Sequence, residues 1–199
     1  MRTGGAPALL ALLVPVVTYA AEPVETTICE ALAHPVAFDG KSVRLRGTVV
    51  LRTENFSIVQ PCSGSEGPDE IWLEYGYPEE APTPFCCPGG FDRNNKPIFS
   101  EPRVNLVRDG SFKKLKRDLA ARRSGKDDHG DDCSLFRPPS PECQKFTVSA
   151  TLTGKLSAVK LVAGMGGFGH FGLFPAKLVI QRVEDVTSVE VKLHDRPAP

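Results

Sequence analysis

The alternation of apolar and polar residues marks this chain as mainly β. In "KSVRLRGTVVLR", Lys41 to Arg52, one side carries Val43, Leu45, Gly47, Val49 and Leu51 and the other Ser42, Arg44, Arg46 and Thr48, the period of a half-buried strand. "NFSIVQ", Asn55 to Gln60, predicts a second strand that ends at Pro61, joined to the first by the tight connection Thr53-Glu54-Asn55. "EIWLEY", Glu70 to Tyr75, predicts a third, with Ile71, Leu73 and Tyr75 opposite Glu70, Trp72 and Glu74. The pattern returns from Lys145 to Val162, where Phe146, Val148, Ala150 and Leu152 alternate with Thr147, Ser149, Thr151 and Thr153. Ala176 to Leu193 supplies a last long strand or two. Gly47 and Gly154 interrupt the two longest alternations, as glycines do where strands bulge or bend sharply.

Two stretches carry a helical period instead. Thr27 to Ala37 predicts a short helix capped by Thr26 or Thr27, with Ile28, Ala31 and Leu32 on one face. Gly110 to Gly125 predicts a second, capped by Ser111 and stopped by Gly125. Its apolar stripe is Phe112, Leu115 and Leu119, and Lys113, Lys114, Lys116, Arg117, Arg122 and Arg123 cover the rest. Three strands, a helix and two strands is the OB order. The expected fold is therefore a small OB-like five-stranded barrel with one helix between strands 3 and 4. It forms a single domain over 27–199 with a long irregular insertion, rich in proline and cysteine, at 76–144.

Composition adds compartment and removes partners. Arg2 precedes an apolar run from Ala8 to Val17, and Thr18-Tyr19-Ala20 follows with small residues where a signal peptidase reads. A signal peptide over 1–20, cleaved after Ala20 or Ala21, is the expectation, giving a secreted or periplasmic product. The run is shorter than the roughly 20 residues a membrane anchor takes, and no later segment is long enough. All six cysteines, Cys29, Cys62, Cys86, Cys87, Cys133 and Cys143, fall in the mature chain, and an even number in an oxidising compartment reads as disulfides. Cys133 with Cys143 is the preferred local bridge, Cys62 with Cys86 or Cys87 the next, and Cys29 takes the remainder. Lysine plus arginine equals aspartate plus glutamate at 24 each, so no overall field draws the protein to nucleic acid or an anionic membrane.

"DGKSVRLRGTV" together with "GFGHFGLFPAKLVIQRVEDV" resembles the two ends of a group of small exported bacterial proteins with an OB-like core. The resemblance covers the strands and not the 76–144 insertion. It implies fold and export, and brings no reaction or catalytic residues with it.

The candidate chemistry is spread thinly. Gly164, Gly166 and Gly169 satisfy G-x-G-x-x-G, with Glu184 and Asp185 about where a ribose carboxylate would stand. A dinucleotide loop needs a helix directly after its glycines, and Gly172 and Pro175 deny one. A bend between strands, packed by Phe168, Phe171 and Phe174, is the better reading, and no cofactor is expected. His170 within the bend can approach a ligand closely, though a histidine between glycines more often ties down its loop through hydrogen bonds. Cys86, Cys87, His129 and Cys133 are chemically apt zinc ligands, yet no C-x-x-C pair supports them, and a solvated acidic loop anchored by a disulfide is favoured at "DDHGDDC". A serine nucleophile lacks its motif. The ligand face is expected around Trp72, Tyr75, Lys113, Lys116, Arg117 and His170. The function expected is a non-catalytic binding or envelope-associated module with an unknown ligand or envelope partner. The alternatives are a small metal-binding protein or metal-dependent hydrolase using the Cys/His cluster, and third, single-stranded nucleic-acid binding through the basic helix and stacking aromatics.

Overall fold

The ends of the long strands decide the architecture, because each has more than one neighbour. A computed structural model describes residues 22–52, 55–63, 69–79, 104–122, 143–159, 161 and 167–191, with His170 described by its backbone alone. The elements are β1 (Val24–Glu25), α1 (Ile28–Ala33), α2 (Pro35–Phe38), β2 (Ser42–Arg52), β3 (Asn55–Val59), β4 (Glu70–Tyr75), α3 (Gly110–Ala120), β5 (Phe146–Ala158) and β6 (Ala176–Glu190). A 3₁₀ turn, His170–Gly172, precedes β6. The chain is mainly β, with one six-stranded mixed sheet.

The first part of β2 pairs antiparallel with β5, from Ser42 opposite Lys155 to Val49 opposite Val148. Its second part pairs with β3, from Thr48 opposite Val59 to Arg52 opposite Asn55. β3 pairs antiparallel with β4, β4 parallel with β6, and β6 antiparallel with β5. Hydrogen bonds thus run in a ring, β2-β3-β4-β6-β5-β2, and β1 lies parallel to β2 beside it. One apolar cluster joins Val43, Leu45, Phe56, Ile58, Ile71, Leu73, Leu152, Leu178 and Ile180 of the strands to Ile28 of α1 and to Phe112, Leu115 and Leu119 of α3. Burying each large side chain of this kind stabilises by about 1.5–3 kcal/mol.

Three local expectations are corrected. The stretch 27–37 is two helices, not one, because Pro35 forces His34 out of the helical region (φ −128°, ψ 56°) and starts α2 itself. Thr27 caps α1, its hydroxyl accepting from the Glu30 amide. The cap of α3 is Asp109 and not Ser111: the Asp109 carboxylate accepts from the Phe112 amide at 3.1 Å. That helix stops at Ala120 because Ala121 turns extended and its carbonyl is taken by the Lys145 amide, while Arg122 bridges to Gln144. Gly125, the expected stop, lies outside the described residues.

The disulfide expectation also changes. Cys62 bonds Cys29, not Cys86 or Cys87. The Ile28 amide donates to the Gln60 side chain, so the start of α1 lies against the end of β3 and the two cysteines come within 5.5 Å at Cα. Closing this loop, 33 residues in sequence separation, stabilises by roughly 3–4 kcal/mol in the chain-entropy account. Cys143 is disulfide-bonded as well. Cys133, its expected partner, lies outside the described residues, as do Cys86, Cys87, His129, Gly164, Gly166, Arg123 and the expected signal segment with Ala20 and Ala21.

Gly154 is where the ring tolerates nothing larger. It sits at a register shift between β5 and β6, and a Cβ there would lie 2.2 Å from the Val179 carbonyl oxygen, a backbone atom that cannot yield. Gly154→Ala should lower stability by roughly 2–3 kcal/mol. Gly110→Ala meets nothing within 4 Å and should leave stability unchanged or slightly higher. The midpoints of urea unfolding compare the two.

Candidate functional site

The apolar stripe of α3 sets the position of its charges. Phe112 packs edge-on against Tyr75 at 5.3 Å, and Tyr75 packs against Phe56 at 5.0 Å, so the first turn of α3 is locked to the end of β4. Beyond β4 the chain keeps to the sheet: the Gly76 amide donates to Ile180, and Tyr77 exchanges hydrogen bonds with Val104 and Leu106. The Val107 amide then donates to Gln181. The segments 76–79 and 104–108 are held side by side, opposite α3.

A cleft of about 480 Å³ opens between them, lined by Glu79, Arg108, Phe112, Lys113 and Lys116. Lys116 Nζ donates to Glu79 at 2.7 Å and Arg108 Nη1 donates to the other oxygen at 3.4 Å. The same ammonium stands 5.5 Å from the Phe112 ring centre and 6.0 Å from that of Tyr75. The hydrogen bond from Lys116, followed by its charge and the contact with Arg108, holds the Glu79 carboxyl below its ordinary range. Burial, reinforced by the Glu79 charge, pushes the Tyr75 phenol upward, so it stays neutral. Three cations therefore face one ionised carboxylate over an aromatic floor.

The residues singled out in the sequence divide between several places. Lys113 and Lys116 line the cleft. Tyr75 lies beneath it in the core. Arg117 points away and pairs with Asp118 at 3.0 Å. Trp72 is on the opposite face of β4 from Tyr75, packed with Phe168 and Phe174, so the two aromatics make no common platform. His170 begins the 3₁₀ turn near Trp72, not the cleft. Phe168 and Phe174 pack in the bend as expected, but Phe171 turns outward at 62% exposure, with φ 54°. Glu79 and Arg108, which complete the cleft, carried no sequence signal because they meet α3 only through the pairing of 76–79 with 104–108.

Glu184 and Asp185 have a structural partner. Arg44 donates to Glu184 at 2.8 Å and to Glu25 at 2.8 Å and lies 3.6 Å from Asp185, tying β1, β2 and β6 together. Gly169 leads into a 3₁₀ turn and β6, not a helix, as the bend reading expects. No family model matches the chain, and neither a curated protein nor a solved structure does. Among the described residues no group of three or more His, Cys, Asp or Glu side chains could hold a metal ion, and no helix is long and apolar enough to cross a membrane.

Asp118 anchors the helix that carries the cleft. It is 5% exposed and accepts hydrogen bonds from Lys114, from Arg117 and from Ser188 of β6. Burial pushes its carboxyl up, but these donors outweigh burial and bring it down to about 2 from 3.8. A carboxylate depressed on folding stabilises above its unfolded value and loses that contribution as pH falls through the folded one. The contribution is on the order of 2 kcal/mol. The stability gap between the native chain and Asp118→Asn should therefore be full at neutral pH and shrink from about pH 4 towards pH 2, read from urea unfolding across that range.

Proposed function

We propose that this chain is an exported, non-catalytic binding module of the OB type, and that it takes an anionic ligand in the cleft between α3 and the 76–79 and 104–108 segments. The observation that carries the reading is the convergence of Arg108, Lys113 and Lys116 on that cleft, with Glu79 the one carboxylate among the described lining residues, above the Phe112 ring. A ligand carboxylate or phosphate would compete with Glu79 for Lys116 and Arg108 and add Lys113, keeping an aromatic surface beneath it. Glu79 is a poor proton donor near neutral pH, since its paired cations hold it ionised, which favours binding over general acid catalysis.

The fold part of the proposal is supported by the ring order. Counting β2 as the first of five, the order is 1-2-3-5-4-1 with the third and fifth strands parallel and α3 between the third and fourth, the OB connectivity. Export is supported by the apolar N-terminal run with its small-residue cleavage site and by the Cys29–Cys62 disulfide. The metal alternative rests on Cys86, Cys87, His129 and Cys133, outside the described residues, and nucleic acid becomes one case of an anionic ligand.

Titration of the mature, disulfide-intact protein with inorganic polyphosphate and with a fluorescent dT12 tests the reading. Binding should weaken steeply with salt. Lys113→Glu and Arg108→Glu should each weaken it roughly tenfold, about 1.4 kcal/mol, at unchanged melting temperature. Absence of binding to either polyanion overturns the anionic reading. Binding that ignores both charge reversals moves the ligand off the cleft.

A further inference from the structure

The outer face of the sheet around Trp72 plays no part in the cleft, and it carries unmet chemistry. Ser57, Trp72 and Lys177 stand side by side across β3, β4 and β6. Their sequence neighbours Ile58, Ile71, Leu73 and Leu178 turn into the core, so these three face outward. Trp72 is nevertheless only 3% exposed, and its indole N–H finds no hydrogen-bond partner. Asn55, two residues from Ser57 on β3, holds a buried amide oxygen that also finds none. A donor and an acceptor on one face are thus left unsatisfied, a costly arrangement in a protein interior. Beside them the Glu70 carboxylate accepts from Ser57 at 2.9 Å and from Asn55 Nδ2 at 3.1 Å, and Lys177 donates to Glu74 at 3.1 Å.

What covers Trp72 is the turn 167–175, with Val159 beside it. Phe168 and Phe174 bridge to each other, and the Phe174 ring lies 5.2 Å from the Trp72 ring, tilted by 57°. The cover depends on glycine. A Cβ on Gly169 (φ +69°) would stand 2.4 Å from the Trp72 ring, and one on Gly167 would stand 2.1 Å from the Phe174 carbonyl oxygen. On the outside of the same turn Phe171 and Leu173 are 62% and 46% exposed. The turn has apolar side chains towards water and unsatisfied polar atoms underneath.

We infer that this covered face is a second ligand site, for the neutral sugar rings of a glycan, and that the 167–175 turn lifts to admit one. Phe174 occupies the place against Trp72 where the C–H face of a sugar would stack. Sugar hydroxyls both donate and accept, so a ring stacked there offers an acceptor to the Trp72 N–H and donors to acceptors along the same face such as the Asn55 oxygen. A phosphodiester is disfavoured, because the face carries two carboxylates, Glu70 and Glu74, and the one cation in the row, Lys177, already donates to Glu74. An extended peptide has no free edge to join, since β3 lies between β2 and β4, and β4 between β3 and β6.

Trp72 is the only tryptophan in the chain, so intrinsic fluorescence reports on this face directly. The mature, disulfide-intact protein is titrated with chitohexaose, cellohexaose and maltohexaose, and in parallel with dT12. A saturable spectral shift with at least one neutral hexasaccharide and none with dT12 is expected. Gly169→Ala, which drives the cover off the ring, should tighten that binding roughly tenfold, because less of the protein is held in the closed form. Phe174→Ala removes the covering ring by another route and should act in the same direction if Gly169→Ala does not fold. Trp72→Phe, followed by calorimetry, should weaken binding about tenfold by removing the N–H. No saturable response to any of the three sugars in the native chain and the cover variants, or a response to dT12 alone, overturns the inference.

Discussion

Everything in this molecule hangs on the pairing of β2 with β5, strands about a hundred residues apart in sequence. β2 cannot give both of its ends to one neighbour: it pairs with β5 up to Val49 and with β3 from Thr48 onward. That exchange of partners closes the ring and gives β3, β4, β5 and β6 a neighbour on each side over their paired stretches. It occurs beside Gly47, where a Cβ would meet the Val59 carbonyl oxygen at 2.7 Å and Ile28 and Ile58 at 2.8 Å. The glycine lets β3 and α1 close over the strand. α1 is then fixed by Cys29–Cys62, and α3 closes on Tyr75 and Phe56 with its cations turned outward.

Much of this was legible in the sequence because it is periodic. The alternation in Ser42–Arg52, Glu70–Tyr75 and Phe146–Ala158 gave the strands and their inward faces, and Phe112, Leu115 and Leu119 gave the buried face of α3. What was missed depends on contacts between distant segments or on atomic detail at a turn. The partner of Cys62 is set by α1 docking on the end of β3. The cap of α3 passed from Ser111 to Asp109 because capping needs one extended residue with an oxygen two or three positions before a free amide, and either residue offered one by type. β1 is only two residues long, too short to show any period.

The candidate sites were half legible for the same reason. Lys113 and Lys116 stood out on a helix face, but Glu79 and Arg108 join them only because Tyr77 pairs with Val104 and Leu106. Trp72 could be read as outward-facing from β4 alone, while its burial comes from a turn about a hundred residues later. A chain with balanced total charge thus separates its charges: cations surround the cleft, and carboxylates flank Trp72. The two surfaces differ in charge and in chemistry.

Residue-resolved hydrogen–deuterium exchange on the disulfide-intact protein tests this arrangement most directly. If β2 and β5 close the ring, their paired amides between Ser42–Val49 and Val148–Lys155 exchange slowest of all, through global unfolding, while the amides of 167–174 exchange orders of magnitude faster as the cover lifts. Exchange across β2 and β5 as fast as at β1 would contradict the closed ring. Protection of 167–174 equal to that of the ring would contradict a cover that opens.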